Sequence, residues 1–298
     1  MEQNMTALVS LFARAYHQKN KDIKIFDDLL STKLITEKEY EMIGLNMSQG
    51  ISFFNPTFKG SKEEALKWIV DHQLSPSVLV RSAFCKEAIE EMKEKGCQQY
   101  LDFASGYDSF AYYYQNQMHV FEIDKKEVIE DKRQRCKDVD IENIQFLSID
   151  LSQDNWINTL LQSDYQEDQL SISSMLGLSY YLTKDEFKKM LKQLSKYLLK
   201  GSHLVFDYPS IQESKETKIN EMLAKEADES MKAKYSFAEL KEILNQCHLY
   251  TLYICHLTII QHENHQTVTE KYISNYNVYY KDDSIKAPEG VCYCVVEK

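Results

Sequence analysis

The sequence predicts an α/β protein with a mostly parallel sheet, a helical region before it and antiparallel strands at its C-terminal end. Two observations carry this prediction. Apolar residues recur at helical spacing through the first third of the chain, and short β-branched or aromatic runs separated by helical or charged segments follow from Gln98. Strands that alternate with helices are typical of βαβ units and therefore of a parallel sheet.

Composition excludes several classes of protein. The 298 residues carry 35 Lys and Arg against 46 Asp and Glu, a formal net charge of −11, with 43% hydrophobic residues. An acidic chain lacks the basic surface that nucleic-acid phosphates require, so no nucleic-acid partner is expected. No apolar run approaches the roughly 18 residues of a membrane-spanning helix, so no membrane partner is expected.

The termini and cysteines indicate a compartment. The first residues lack the charged start, apolar stretch and cleavage site of a signal peptide. Seven cysteines, an odd number spread through the chain, are typical of reduced thiols in a cytosolic protein. A cytoplasmic location is therefore expected.

Residues 1–94 are predicted to be helices that form a cap on one domain; this region is called the cap below. Apolar side chains between Thr6 and Tyr16 follow helical spacing. A further helix is predicted from about Pro76 to Lys95, ending at Gly96. Two helix starts are predicted from capping-box spacing, at Thr36 with Glu39 and at Ser61 with Glu64.

Residues 95–298 are predicted to form the domain that contains the sheet. A helix over Lys184–Leu199 opens with Thr183 and Glu186 at capping-box spacing. The charged stretch 213–234 is predicted to be mostly a solvated helix, and 211–235 a lid that closes with the cap over a ligand. Strands are predicted at 97–103, 118–123, 144–149, 170–176 and 202–208, and in the tail at 248–260, 267–280 and 290–297.

Three strand ends carry side chains suited to a nucleoside. Asp102–Asp108 lies between a predicted strand and a predicted helix, and small residues at 104–106 let the backbone approach a ligand closely. The next strand ends near Glu122 and Asp124, where a carboxylate can accept both hydrogens of a ribose diol. The third ends at Asp150, which can meet an adenine amino group. Each signal alone also fits an ordinary turn, but together they predict one nucleoside site.

Several stretches resemble, in order and spacing, the leucine carboxyl methyltransferase family, which includes polyketide-type O-methyltransferases. Residues 98–112, QQYLDFASGYDSFAY, resemble the family's QVVNLGAGLDTRAYRL. Residues 120–132, VFEIDKKEVIEDK, resemble its VFEVDQPEVIEFK, and the similarity covers about residues 76–210. The resemblance implies a class I methyltransferase fold, S-adenosylmethionine as cofactor and O-methylation of a carboxylate or hydroxyl on a small-molecule acceptor.

The resemblance also implies residue roles. Arg81 would bind the cofactor carboxylate, for which a guanidinium offers bidentate hydrogen bonds, with a surface ion pair as the alternative. Glu122 or Asp124 would hold the ribose hydroxyls, and Asp150 with Leu151 would bracket the adenine. The implied cofactor-binding residues are Arg81, Ala104, Ser105, Gly106, Asp108, Glu122, Asp124, Asp150, Leu151 and Met175.

The chain departs from the family pattern at three positions. Ala104 replaces the first glycine of the turn, Phe110 replaces an arginine, and Leu176 replaces an acid. Alanine is acceptable at 104 if its φ is negative. The other two changes leave fewer polar contacts, which weakens the prediction of leucine-carboxylate specificity more than that of cofactor binding.

The acceptor determines whether a base is needed. A carboxylate is already ionised, whereas a phenol or enol benefits from proton removal. For each candidate tyrosine the alternative is a packed aromatic ring with a satisfied hydroxyl. The candidates that would position the acceptor are Tyr181, Tyr208 and Asp207, then Tyr180, and on the cap Arg14 and His17.

Three alternatives compete with this hypothesis. A nucleoside-binding regulatory protein without catalysis is suggested by the departures at 110 and 176. Tyr180 and Lys184 have the Tyr-x-x-x-Lys spacing of NAD(P)-dependent reductases, but the turn lacks their three glycines. A zinc site is a weaker alternative, built from His262, His265, Cys292 and Cys294.

Overall fold

The computed structural model describes residues 4–153, 155–212, 218, 221–222, 230–247, 257–281 and 290–298. Within these residues one sheet of seven strands has the order β3-β2-β1-β4-β5-β7-β6. The strands are β1 Gln99–Phe103, β2 His119–Asp124, β3 Ile144–Ser148, β4 Ser171–Met175, β5 His203–Pro209, β6 Thr258–Asn264 and β7 Val291–Glu297.

The sheet is mixed, as predicted. Strands β1 to β5 pair in parallel, whereas β7 runs antiparallel to both β5 and β6. β1 is flanked by β2 on one side and by β4 on the other, so the chain reverses its winding direction there. In open α/β sheets the crevice at such a point, beyond the carboxyl ends of the strands, is where ligands bind.

Helices cover both faces of the sheet and form the cap. In the cap they are α1 Met5–Asn20, α2 Ser31–Leu34, α3 Glu37–Gln49, α4 Ile51–Phe54 and α5 Lys62–Ile69, followed by the π-helical stretch Val70–Leu79 and by α6 Val80–Glu94. In the sheet domain they are α7 Phe110–Tyr114, α8 Lys126–Arg135, α9 Trp156–Leu161, α10 Lys184–Ser195, α11 Phe237–Asn245 and α12 His265–Tyr280. None of the helices in the described ranges is long and apolar enough to cross a membrane.

The predicted helix starts are confirmed. Thr36, Ser61 and Thr183 each accept a hydrogen bond from the backbone of the glutamate three residues later, whose side chain bonds back. These reciprocal bonds satisfy amide groups that a helix leaves without intrahelical partners. Local sequence therefore determines where these three helices begin.

One predicted tail strand is wrong. Residues 267–280 belong to the helix α12 and not to a strand. Asn264 caps this helix by accepting from the amide of Thr267, and the buried residues Val268, Ile273 and Tyr276 follow helical spacing. Much of the predicted lid 211–235, the predicted solvated helix at 213–234 and residues 248–256 of another predicted strand lie outside the described residues.

Apolar side chains fill both faces of the sheet. One face packs α9, α10 and α11 around residues such as Trp156 and Phe187, and the other packs α6, α7 and α12 around Phe84 and Tyr114. A third cluster, centred on Phe12 of α1, forms the interior of the cap. This cluster also contains Tyr107 and Cys136 of the sheet domain. Since burying one such side chain contributes about 1.5–3 kcal/mol, this packing stabilises the cap against the sheet domain.

Polar contacts also join the cap to the sheet domain. Arg135 of α8 bonds both carboxylate oxygens of Glu39 in α3, at 2.7 and 2.8 Å. At the other side of the cap, Asp71 accepts from Lys21 at 2.9 Å and from the Tyr276 hydroxyl of α12 at 3.1 Å. The cap is thus attached to the rest of the molecule by buried charges as well as by apolar packing.

Candidate active site

The turn after β1 is the centre of the candidate site. Gly106 has φ +48°, and Ala104 has φ +54°. The condition stated for alanine, a negative φ, is therefore not met. Left-handed backbone costs a residue with a Cβ about 1–2 kcal/mol, so Ala104 holds this conformation at an energetic cost.

The two carboxylates of β2 occupy different surroundings. Asp124, half-buried at the strand end, accepts from the backbone amides of Gly106 at 2.8 Å and Lys125 at 2.7 Å. Glu122 is fully buried and forms an ion pair with Lys132, which is fully buried too. Burial raises the pKa of both carboxyls, and these contacts oppose that rise. The strand-end position makes Asp124 the better placed of the two for a ribose.

Glu122 contacts the turn after β1 through the side chain of Ser105. Its Oε2 accepts a hydrogen bond from the hydroxyl of Ser105 at 3.2 Å. Ser105 is itself buried, and its amide bonds the carbonyl of Ile123 at 3.3 Å. The structure therefore places Oε2 of Glu122 and the Ser105 hydroxyl against the turn as supports, while Oε1 of Glu122 has no hydrogen-bond partner among the described residues.

Asp150 lies beside Asp124. The amide of Ile149 bonds the Asp124 carbonyl at 2.8 Å, which brings the ends of β2 and β3 together. Asp150 is exposed and accepts from the amide and hydroxyl of Ser152, contacts that lower its pKa. Leu151 is half-buried and packs against the main core. The neighbouring carboxylate and apolar side chain are where the sequence predicts an adenine contact.

Arg81 reaches the turn after β4 from α6. A Cβ on Gly177 would lie 2.9 Å from Nη1 of Arg81, so the guanidinium lies against the glycine backbone. Its Nη2 contacts the hydroxyl of Ser10 at 3.4 Å. Burial alone would lower the pKa of Arg81, but the carboxylates of Asp207 and Asp108 raise it. This position at the strand ends argues against the surface ion pair.

Asp102 is a site residue that the sequence-based candidates omitted. It is the fourth residue of β1, and it is buried. Its Oδ1 accepts from Ser174 at 2.7 Å, while no group in the described part of the chain donates to its Oδ2. Burial, then Asp108 and Glu122, raises its pKa well above the usual range. The sequence signal that could have identified Asp102 is its position as the last acidic residue before the turn. The candidate Met175 is also buried, at the end of β4.

The candidates for positioning the acceptor are engaged within the protein. Asp207 is buried, with Oδ1 accepting from the amide of Gly177 at 2.6 Å and Oδ2 from the Tyr180 hydroxyl at 3.1 Å. Tyr208 is buried, and its hydroxyl bonds His262 at 2.6 Å. Tyr181 is half-buried, with its ring 6.3 Å from that of Tyr180. Their roles toward the acceptor stay predictions.

The two cap candidates have buried positions. His17 is fully buried and accepts from the amide of Ile25 at 2.8 Å, and burial lowers its pKa to about 3. Its ring stacks against that of Tyr276 of α12 at 5.7 Å, and its role toward the acceptor stays a prediction. Arg14 is also buried, but it contacts Asp108 in the turn at 2.9 Å.

Neither the reductase spacing nor the zinc set finds support in the contacts. Tyr180 bonds Asp207, whereas Lys184 bonds Glu239 at 2.7 Å, so the two residues of the reductase spacing serve different partners. His262 and Cys294 are paired across β6 and β7. Within the described ranges, no group of three or more metal-ligating side chains could hold a metal ion.

A switch-point crevice with strand-end carboxylates and a left-handed turn defines a class I methyltransferase. The model of the family described as "Leucine carboxyl methyltransferase" matches residues 7–195. The chain belongs to this family, and its cofactor is S-adenosylmethionine.

Similar proteins agree with this assignment. YktD of Bacillus subtilis (strain 168), whose name provisionally assigns it to the S-adenosyl-L-methionine-dependent methyltransferases, is 29% identical over 308 residues, 98% of this chain and 97% of its own length. Two solved structures share the fold. A DUF574 family protein from Streptomyces avermitilis MA-4680 has a TM-score of 0.59 at 12% identity, covering 97% of each chain. A provisionally named methyltransferase from Thermobifida fusca YX has a TM-score of 0.56 at 11% identity, covering 85% of this chain and 93% of its own.

The side chains fit this cofactor on chemical grounds. Asp124 offers a half-buried carboxylate to hydroxyl groups, and Asp102 offers a buried oxygen that lacks a donor among the described residues, which suits a cationic group. Arg81 offers a guanidinium to a carboxylate. These three residues match the ribose, the ammonium and the carboxylate of S-adenosylmethionine.

Proposed function

We propose that this methyltransferase transfers the methyl group to an oxygen of a small molecule, a carboxylate or a hydroxyl, with a carboxylate favoured. S-adenosylmethionine supplies a methyl group already activated on a sulfonium. The protein's task is then to bind, orient and desolvate the acceptor, because an in-line displacement gains much of its rate from positioning.

A carboxylate acceptor is favoured because the candidate bases are already hydrogen-bonded within the protein. Both oxygens of Asp207 accept hydrogen bonds, and the hydroxyls of Tyr180 and Tyr208 are tied to Asp207 and His262. Burial, the largest cause, raises the pKa of both phenols. A phenol with a raised pKa stays protonated near neutral pH and therefore cannot act as a base there. A carboxylate acceptor does not need a base.

A small cleft of about 30 Å³ at the end of β5, with room for about one water molecule, marks the place where we propose that the acceptor enters. Tyr180, Pro209 and Ser210 line it on the sheet side, and Glu221 and Lys234 on the side of the predicted lid. Glu221 and Lys234 pair at 2.6 Å. The cleft adjoins the Tyr180–Asp207 hydrogen bond, so an acceptor entering here would approach the turn after β4.

The test is transfer of labelled methyl from S-adenosylmethionine to panels of small carboxylic acids, phenols and amines. We expect products that release labelled methanol in mild alkali, as methyl esters do. Transfer to carboxylates should stay level from pH 6 to 9. Alkali-stable ethers would shift the proposal to hydroxyl acceptors, and transfer to amines alone would overturn O-methylation.

A further inference from the structure

One face of α1 contacts the candidate cofactor site at three places. Ala7, Ser10 and Arg14 are spaced i, i+3 and i+7, so they share a side of the helix. A Cβ on Gly106 would lie 3.3 Å from that of Ala7, and the hydroxyl of Ser10 is 3.4 Å from Arg81. The cap helix therefore forms a wall beside the turn after β1.

Arg14 makes the strongest of these contacts. Its side chain is 2% exposed, and each of its three guanidinium nitrogens has a partner. Nε bonds Asp28 at 2.9 Å, Nη1 bonds Asp108 at 2.9 Å, and Nη2 donates to the carbonyl of Tyr107 at 2.7 Å. Two of these partners belong to the turn, and the third belongs to the cap.

The cap partner is itself held in place. Asp28 is fully buried, and its Oδ1 accepts from the amide of Ser31 and from the hydroxyl of Tyr113, each at 3.1 Å. A guanidinium bonded to one fixed carboxylate holds a second carboxylate in place, because its donors have a rigid planar arrangement. Arg14 is thus positioned to set the conformation of Asp108.

Asp108 has a second cation nearby. Its carboxylate is one of the two that raise the pKa of Arg81, so the two side chains attract each other. No ion pair between Arg81 and a carboxylate forms within the described residues; Asp108 pairs with Arg14 instead. Without Arg14, Asp108 would lose its ion-pair partner, and Arg81 is a cation that attracts it.

We propose that Arg14 is a positioning residue of the cofactor site: by pairing with Asp108 it fixes the turn and keeps Arg81 available to the cofactor carboxylate. The proposal rests on the cofactor role of Arg81 given above. It assigns the cap a direct part in cofactor binding, through the face of α1, in addition to any part in covering the acceptor.

The first test is calorimetric binding of S-adenosylhomocysteine and S-adenosylmethionine to the full chain. We expect R14Q to bind each at least tenfold more weakly than the wild type. R14K should give an intermediate affinity, because an ammonium keeps the charge but cannot bond Asp28, Asp108 and the Tyr107 carbonyl in the same plane. R14K also serves if R14Q does not fold.

The second test separates capture of Arg81 from a general loosening of the turn. R14Q/D108N removes the carboxylate that would draw Arg81 away, so we expect it to bind S-adenosylhomocysteine at least threefold more tightly than R14Q. D108N is measured alone to complete the double-mutant cycle. Additive losses from the two substitutions would contradict the proposal.

The control is E39Q, which weakens the other arginine–carboxylate pair between cap and sheet domain. Glu39 bonds Arg135 and Thr36, neither of which belongs to the turn after β1. We expect E39Q to lower the melting temperature while changing the affinity less than twofold. Wild-type affinity in folded R14Q would overturn the role of Arg14, whereas absence of binding by the wild type would overturn the site itself.

Discussion

The backbone amide of Gly106 donates a hydrogen bond to the carboxylate of Asp124 over 2.8 Å, and this contact ties the turn after β1 to the end of β2. The amide of Lys125 holds the other carboxylate oxygen at 2.7 Å. Since each carboxylate oxygen accepts more than one hydrogen bond, Asp124 is oriented by the backbone and keeps acceptor capacity for a ligand.

Replacing Asp124 with alanine should weaken S-adenosylhomocysteine binding by tenfold or more. Hydrogen bonds to a charged group contribute about 1.5–3 kcal/mol, and the Gly106 amide would also lose its acceptor. D150A should cost less, about threefold to tenfold, because Asp150 is exposed and its contacts are local. Calorimetry measures both affinities. The control is D164A, which removes an exposed acid that precedes β4, on the side of the amino ends of the parallel strands. If D124A bound S-adenosylhomocysteine as tightly as D164A does, the crevice assignment would fail.

Replacing Ala104 with glycine should cost little stability or raise it. Removing the left-handed strain of alanine should raise the free energy of unfolding by about 1–2 kcal/mol. The greater conformational entropy of glycine in the unfolded chain should lower it by about 0.5–1 kcal/mol. The matched control is A88G in the middle of α6, where the same change lacks this relief and should destabilise by about 1 kcal/mol. Urea unfolding gives both values. Equal losses for the two variants would show that Ala104 carries no strain.

Stability should fall in mild acid because of His17. Burial lowers its pKa to about 3, so the unfolded chain binds the proton that the folded one does not. The resulting loss of folding stability is small above pH 6.5 and grows as the pH falls from 6.5 toward 3. At pH 5 the loss is about 2 kcal/mol.

The substitution H17Q tests this origin. Glutamine retains an acceptor for the Ile25 amide but does not titrate. We expect the fall in unfolding free energy between pH 7.5 and 5 to be about 2 kcal/mol smaller in H17Q than in the wild type. Parallel pH curves for the two proteins would exclude His17 as the cause.

The buried pair of Lys132 with Glu122 should be sensitive to loss of either partner. K132M leaves an uncompensated carboxylate in the interior, which costs about 3–5 kcal/mol. The double variant K132M/E122Q should regain most of that loss, because the Ser105 hydroxyl can still bond the amide oxygen. Urea unfolding of all three proteins measures this, and a K132M loss under 1 kcal/mol would contradict it.

The amino-acid sequence alone predicts the order of the five parallel strands, three helix starts and the place of the strand-end carboxylates. These features are set by neighbours a few residues apart, such as Thr183 and Glu186 in a capping box. The same local reasoning failed at 267–280, where aromatic and β-branched residues suit either strand or helix and the Asn264 cap decides.

Which site residues act together depends on the tertiary structure. Arg14 meets Asp108 across 94 positions of sequence, and Gly106 meets Asp124 across 18. The turn likewise imposes a left-handed backbone on Ala104, a conformation that an alanine side chain disfavours. Periodicity and spacing report on forces within one element, whereas a buried ion pair or a strained backbone exists only once packing from several elements fixes it.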